Sequence, residues 1–298
     1  MELLEPFAAV PAFYIGSCVL LGLIVGSFLN VVIHRVPVMM DAALRAECAE
    51  LAGNTQAEQP RYNLIVPRSA CPKCRAPITA MQNIPVVSWL VLRGKCASCQ
   101  TKIGARYPLV ELATGLLSGF IAWRFGFGAA GLAALVFTWL LIALTMIDFD
   151  TQYLPDQLTY PLLWLGLLVS LSHPVWADGA APVTPRDSLI GAAAGYLSLW
   201  SVYWLFKFVT GKEGMGYGDF KLFAALGAWL GWTMLLPIIV FASGVGALFG
   251  VVILIRQRKG KDTQIAFGPF LAIAGWLALV GGHGLIERYL GLFGAPPP

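Results

Sequence analysis

Apolar positions along this chain do not alternate with polar ones; they gather into long runs broken by short polar turns. Eight runs stand out, at about 12–34, 108–125, 129–148, 157–172, 188–209, 219–232, 234–255 and 267–286. Stretches of roughly 17–25 apolar residues cross the hydrocarbon core of a bilayer as helices. The pattern therefore predicts an all-α polytopic membrane protein with about eight transmembrane helices, of which the sixth is short. Small-residue spacings such as Gly115 with Gly119 and Gly246 with Gly250 favour close helix approach within a packed bundle.

One long polar segment interrupts the runs, between the first and the second. The chain then reads as a first transmembrane segment (1–35), a polar domain (36–107) and a helix bundle (108–298). Inside the polar domain, DAALRAECAELAGNTQAEQP at 41–60 has helical composition up to a turn at Gly53-Asn54 and resembles an inserted helix.

Composition agrees with a bilayer environment. Hydrophobic residues make up 58% of the 298 and charged residues only 12%, about half the charged share of a soluble domain. Charge placement sets orientation, since Lys and Arg concentrate in cytoplasmic loops. Seventeen of the 20 lie in the segments 35–107, 207–221 and 256–261, against Arg124, Arg186 and Arg288 on the other side. The polar domain is thus expected in the cytoplasm and both termini outside. The opening residues MELLEPFAAV carry two acids and no Lys or Arg, so the first run is read as a span and not as a cleaved signal. Cys18, in a run resembling a lipoprotein processing site, is expected to be a small buried apolar residue.

The polar domain holds CPKC at 71–74 and CASC at 96–99, two C-x2-C pairs separated by 21 residues. That spacing matches a four-thiolate zinc site formed by Cys71, Cys74, Cys96 and Cys99. Disulfides are the alternative, but cytoplasmic thiols stay reduced. A closed four-Cys site leaves no open coordination position, so its expected role is to fold a short segment. A zinc ribbon with basic neighbours also suggests nucleic acid, yet a loop tethered to the membrane argues for no nucleic-acid partner. Residues 126–131, GFGAAG, match a dinucleotide fingerprint formally, but they lie between hydrophobic runs and not in a strand–turn–helix context. They are read as a tight interhelical turn.

Ionisable residues inside apolar runs are functional candidates, because a charge at bilayer depth costs about 2.5–3.5 kcal/mol. Asp148 closes the third run, in IDFDTQYLPDQ, and Asp219 opens the sixth, in GMGYGDFKL. Two complete runs separate them, which returns the chain to the same membrane face. Two neighbouring carboxylates do not both ionise cheaply; one keeps a proton while the other acts as a base. Such a pair suits aspartic-protease chemistry, and Gly216 and Gly218 would leave room for a substrate backbone beside the second acid. A proton relay in a zinc-stapled transporter uses the same residues, and chemistry alone leaves the two readings equal. Asp156, after Pro155, reads as a helix cap, and Asp150 as a hydrated interfacial acid.

Taken in order, GSFLNVVIHRVP at 26–37, CPKC with CASC, GARYPLVELATG at 104–115, IDFDTQYLPD at 147–156 and GMGYGDFKL at 214–222 resemble the bacterial type IV prepilin peptidases, a branch of the G-x-G-D membrane aspartyl proteases. The resemblance covers all but 38–60 and the last dozen residues. It implies an inner-membrane enzyme that removes the basic leader of prepilins and pseudopilins at the cytoplasmic face. It also implies N-methylation of the new terminal residue, usually phenylalanine, with S-adenosylmethionine. By that likeness Asp148, in preference to Asp150, pairs with Asp219 as the catalytic dyad, and the four cysteines bind zinc. Arg106 and Glu111 are weak candidates for the methyl-transfer half or for helix pairing.

Overall fold

The computed structural model describes residues 7, 9–53, 61–172, 183–257 and 266–292. Arg258, Lys259 and Lys261, which entered the charge argument, and positions 54–60 of the expected insertion lie outside the described residues. Eight long helices fall on the eight apolar runs: α1 (Pro11–Leu51), α2 (Arg106–Phe125), α3 (Ala129–Thr151), α4 (Asp156–Leu171), α5 (Pro185–Thr210), α6 (Tyr217–Leu230), α7 (Leu235–Gln257) and α8 (Gly268–Leu292). There is no strand among the described residues, only two isolated bridges in the polar domain. Helices α1, α3 and α5, and the stretch Trp232–Val252 that contains most of α7, are long and apolar enough to cross a membrane by themselves. The chain is an all-helical membrane protein. Of the GFGAAG segment expected as a turn, residues 126–128 form it: α2 ends at Phe125 and α3 begins at Ala129, with no strand before it.

By packing, the chain divides into two compact units at Gly126 and Phe127. In this division α2 belongs with α1, along which it packs. In the first unit, α1 is one helix of 41 residues that continues through Pro37 and merges the first apolar run with the start of the expected insertion. At 1.5 Å per residue it is about 60 Å long, twice the hydrocarbon core. Beyond the apolar part its surface is polar, with an exposed Asp41–Arg45 pair one turn apart at 2.7 Å. Helices α1 and α2 run antiparallel and meet through small residues. A Cβ on Gly26 would stand 2.8 Å from the Cα of Glu111, one on Gly115 2.8 Å from Leu23, and Gly22 lies against Ser118. Cys18 is buried in α1, as its apolar setting suggested.

The second unit is organised around α6. Eleven of its 14 residues, from Asp219 to Leu230, are buried, and it packs against α4, α5, α7 and α8. A helix apolar on all sides belongs in the middle of a bundle, which is why the shortest run forms the core and not the edge. Gly191 of α5 and Gly227 of α6 lie backbone to backbone. Interhelical hydrogen bonds add direction: Ser188 Oγ donates to the Ala228 carbonyl (2.6 Å), Trp229 Nε1 to the Leu162 carbonyl (2.7 Å) and Trp276 Nε1 to Thr138 Oγ1 (3.0 Å).

Candidate active site and metal centre

Asp148 sits in the last turn of α3 and Asp219 in the first turn of α6. Both side chains are buried, at 4% and 8% exposure, and both line one cavity of ≈ 270 Å³. Its other walls come from Gln152, Tyr153, Leu154, Asp156, Gly216, Tyr217, Gly218 and Lys221. The local structure explains the placement. Gln152 takes a left-handed conformation (φ 55°) and closes α3 with its N–H on the Asp148 carbonyl at 2.8 Å. The chain then turns through Leu154 and Pro155 into α4, so the segment after Asp148 walls the cavity that Asp219 enters.

The glycines beside Asp219 differ from each other. At Gly216 a Cβ would find nothing nearer than 3.8 Å, so its face is open to the cavity. At Gly218 a Cβ would stand 2.7 Å from that of Leu154, so its bare Cα serves close packing. A third glycine escaped sequence reasoning: a Cβ on Gly268, at the start of α8, would come 2.5 Å from Asp148 Oδ2. No local spacing signals it, because it lies 120 positions from the acid it touches.

Asp156 is not the cap of α4; Pro155 holds the cap position, and Asp156 accepts a hydrogen bond from Lys221 Nζ at 2.6 Å. That ion pair joins the start of α4 to the second turn of α6 within the cavity wall, and Lys221 also lies 5.2 Å from the centre of the Tyr160 ring. Asp150 is exposed on α3. The loop before Asp219 is held by Lys207, whose Nζ lies 2.8 Å from Glu213 Oε1; this hydrogen bond lowers the Glu213 carboxyl below its usual range.

In the first unit the four cysteines come together, with all sulfurs within 4.8 Å of one another. The Cys71–Cys99 and Cys74–Cys96 separations are 3.8 and 4.0 Å. A tetrahedral zinc with Zn–S bonds of about 2.3 Å needs sulfur edges of about 3.8 Å, so the set fits a four-thiolate ion and could hold one. None of the four is in a disulfide. Each pair is built the same way. The N–H of Cys71 donates to the Ala76 carbonyl (3.0 Å) and that of Arg75 to Cys71 (2.9 Å); Cys96 to Thr101 (2.9 Å) and Gln100 to Cys96 (3.0 Å) repeat the pattern 25 residues on. Arg75 and Gln100, each just after the second cysteine, share a left-handed conformation at φ 57° and 56°. Thr101 places its hydroxyl 3.3 Å from the Cys99 sulfur, and its side-chain and backbone hydrogen bonds pull the Cys99 thiol down to about 6, towards the ligating thiolate. Glu111, a weak candidate above, accepts a hydrogen bond from the Val86 N–H at 2.7 Å.

Residues 20–125 match the bacterial peptidase A24 N-terminal domain, and residues 135–251 match the type IV leader peptidase family. The chain belongs to the type IV leader peptidase family. Among its curated relatives are the prepilin leader peptidase/N-methyltransferases of Pseudomonas aeruginosa and Aeromonas salmonicida. Each is 52% identical over 97% of this chain and 98% of its own. The protein of that name from Neisseria gonorrhoeae is 50% identical over 93% of this chain and 92% of its own. No solved structure matches the chain significantly. The two matched regions lie within the two compact units of the chain.

Proposed function

We propose that this protein is a membrane aspartyl endopeptidase and N-methyltransferase of type IV prepilins and type II secretion pseudopilins. It cleaves the basic leader at the cytoplasmic face of the bacterial inner membrane and then methylates the new terminal amine. Near-full-length relatives of that name support the two activities. The observation that carries the hydrolytic half is the shared cavity: two buried aspartates, 71 positions apart, line the same space.

Asp148 and Asp219 share one proton in this reading. The ionised carboxylate takes a proton from a water molecule as its oxygen bonds to the scissile carbonyl carbon, while the protonated acid gives its proton to the carbonyl oxygen. The tetrahedral diol then collapses. Its C–N bond breaks, one hydroxyl returns its proton to a carboxylate, and the departing amine takes up the other proton, leaving the dyad as it began. Gly216 leaves the cavity mouth open for an extended backbone. A prepilin carries its basic leader just before a hydrophobic helix, so its scissile bond arrives at the interface where α3 ends and α6 begins. The Lys and Arg bias supports the cytoplasmic side.

Cys71, Cys74, Cys96 and Cys99 would hold one structural zinc, which supplies a fold-stabilising crosslink and takes no part in hydrolysis. S-adenosylmethionine is the proposed methyl donor, drawn from the relatives' methyltransferase name, and no residue is assigned to it. Incubating the purified enzyme with a prepilin and a labelled methyl donor tests both halves. Leader removal by wild type, and none by Asp148→Asn or Asp219→Asn, is the expected result. Cleavage by either variant at the wild-type rate overturns the dyad.

A further inference from the structure

In the first unit, the segment 84–91 combines outward-facing apolar side chains with a backbone in which the N–H groups of Val86, Val87, Ser88 and Leu90 are bonded within the protein. The register of α1 against α2 supplies a depth ruler. Arg35 donates to the carbonyls of Asn63 (2.7 Å) and Pro67 (2.6 Å), fixing that part of the polar domain level with Arg35. Asn30 Nδ2 donates to the Tyr107 carbonyl at 3.1 Å, where α2 begins. Gly26 abuts Glu111, and Glu111 in turn receives the Val86 N–H. Val86 is therefore within one glutamate side chain of the level of Gly26. That level lies about 13 Å below Arg35 along the helix axis, inside the uncharged stretch 11–33 of α1. The chain descends from Asn63–Pro67 to Val86 and climbs back to Tyr107.

The turn at the bottom is held by force. Val86 is a β-branched residue at φ 60°, a region such side chains rarely adopt, and the Glu111 carboxylate anchors it there. A single helical turn follows at Val87–Val91. Its inner residue, Trp89, donates to the Ile103 carbonyl (3.2 Å) and packs on Gly94, beside the cysteine knuckle. Its outer residues, Val87, Leu90 (61%) and Val91 (75%), are exposed. Hydrogen bonds run from the N–H groups of Val87 to Pro85, Ser88 to Ile84, Leu90 to Val86 and Leu92 to Ser88. Each donor bonded within the protein lowers the cost of entering hydrocarbon. Exposed Arg93 and Lys95 follow at once, with stems long enough to reach the interface from below.

We propose that residues 84–91 form a re-entrant element that dips into the bilayer crossed by α1, with phospholipid acyl chains covering Val87, Leu90 and Val91. Residues of α1 at the same depth, Ile24 and Phe28, are apolar and exposed as well. This inference is independent of the hydrolytic reading.

Photo-crosslinking tests it. Benzoylphenylalanine replaces Leu90, Val91 or, as a control at the Arg35 level, Ile65, in the full-length protein in phospholipid nanodiscs without substrate, with zinc retention checked for each. Phospholipid adducts at positions 90 and 91 several-fold above those at 65 are expected. Equal adduct yields at all three positions, or cross-links from 90 and 91 only to protein, would overturn the proposal, the latter pointing to a protein partner on this face.

Discussion

In the proposed reaction, single side chains decide whether the cavity works. With one acid replaced by its amide, general acid–base catalysis of about 10²–10⁴-fold is forfeited, so Asp148→Asn and Asp219→Asn should each lower kcat/KM for prepilin cleavage by at least that range while membrane insertion persists. The neighbouring glycines separate packing from access. Gly268→Ala puts a methyl group 2.5 Å from Asp148 Oδ2, whereas Gly216→Ala meets nothing inside 3.8 Å. Cleavage assays should therefore show a large fall in kcat at Gly268, where the acid is displaced, and chiefly a rise in KM at Gly216, where the mouth is narrowed against the substrate backbone; wild-type kinetics for Gly216→Ala would remove that glycine from the substrate path. Lys221 and Asp156 form a part-exposed pair, with side chains 23% and 39% exposed. Breaking it should cost no more than about 1 kcal/mol of stability. If its task is to hold α4 against α6, Lys221→Met and the double variant with Asp156→Leu should reduce activity equally.

Among elements, α5 and α6 approach each other backbone to backbone. Either backbone leaves no room for a side chain at Gly191 or Gly227. Overpacking of this kind costs about 1–3 kcal/mol or more, so Gly227→Ala should lower the thermal unfolding temperature in detergent clearly, while Gly244→Ala, where a Cβ meets nothing within 4 Å, should not. The paired knuckles at 69–78 and 94–103 have little core of their own, and a structural zinc contributes on the order of 10–16 kcal/mol in small peptides. Metal analysis should find about one zinc per chain, and Cys96→Ser should lose it together with the protease resistance of the polar domain. A zinc-free protein with an intact polar domain would contradict the structural role.

For the whole molecule, orientation follows from charge. Protease added to inverted inner-membrane vesicles should reach the segment 61–105, while protease added outside intact spheroplasts should not. The opposite pattern would place the aspartate cavity away from the proposed scissile bond. The second unit also shows why a 14-residue helix suffices at its centre. Helix α6 spans about 21 Å, less than the hydrocarbon core, but its buried residues meet other helices and not lipid. Neighbours supply the thickness, and the carboxylate at its first turn is left at the end of the bundle, beside the cavity.

The helices, the four-cysteine set and the two acids were legible in the amino-acid sequence. Each depends on properties a linear chain carries: runs of apolar residues long enough for a bilayer, thiols at metal-ligand spacing, and carboxylates stranded in apolar surroundings. The tertiary structure alone decided which groups touch. Sequence reasoning made Asp156 a cap, and packing gave it Lys221, 65 positions away. It singled out Gly115 with Gly119, while Gly22 with Gly26, and Gly191 with Gly227, make equally close contacts whose partners lie on other helices. Gly268 beside Asp148, and Val86 on Glu111, were invisible for the same reason. Local pattern reports the solvent each residue prefers, but contact between distant positions follows from how helices cross.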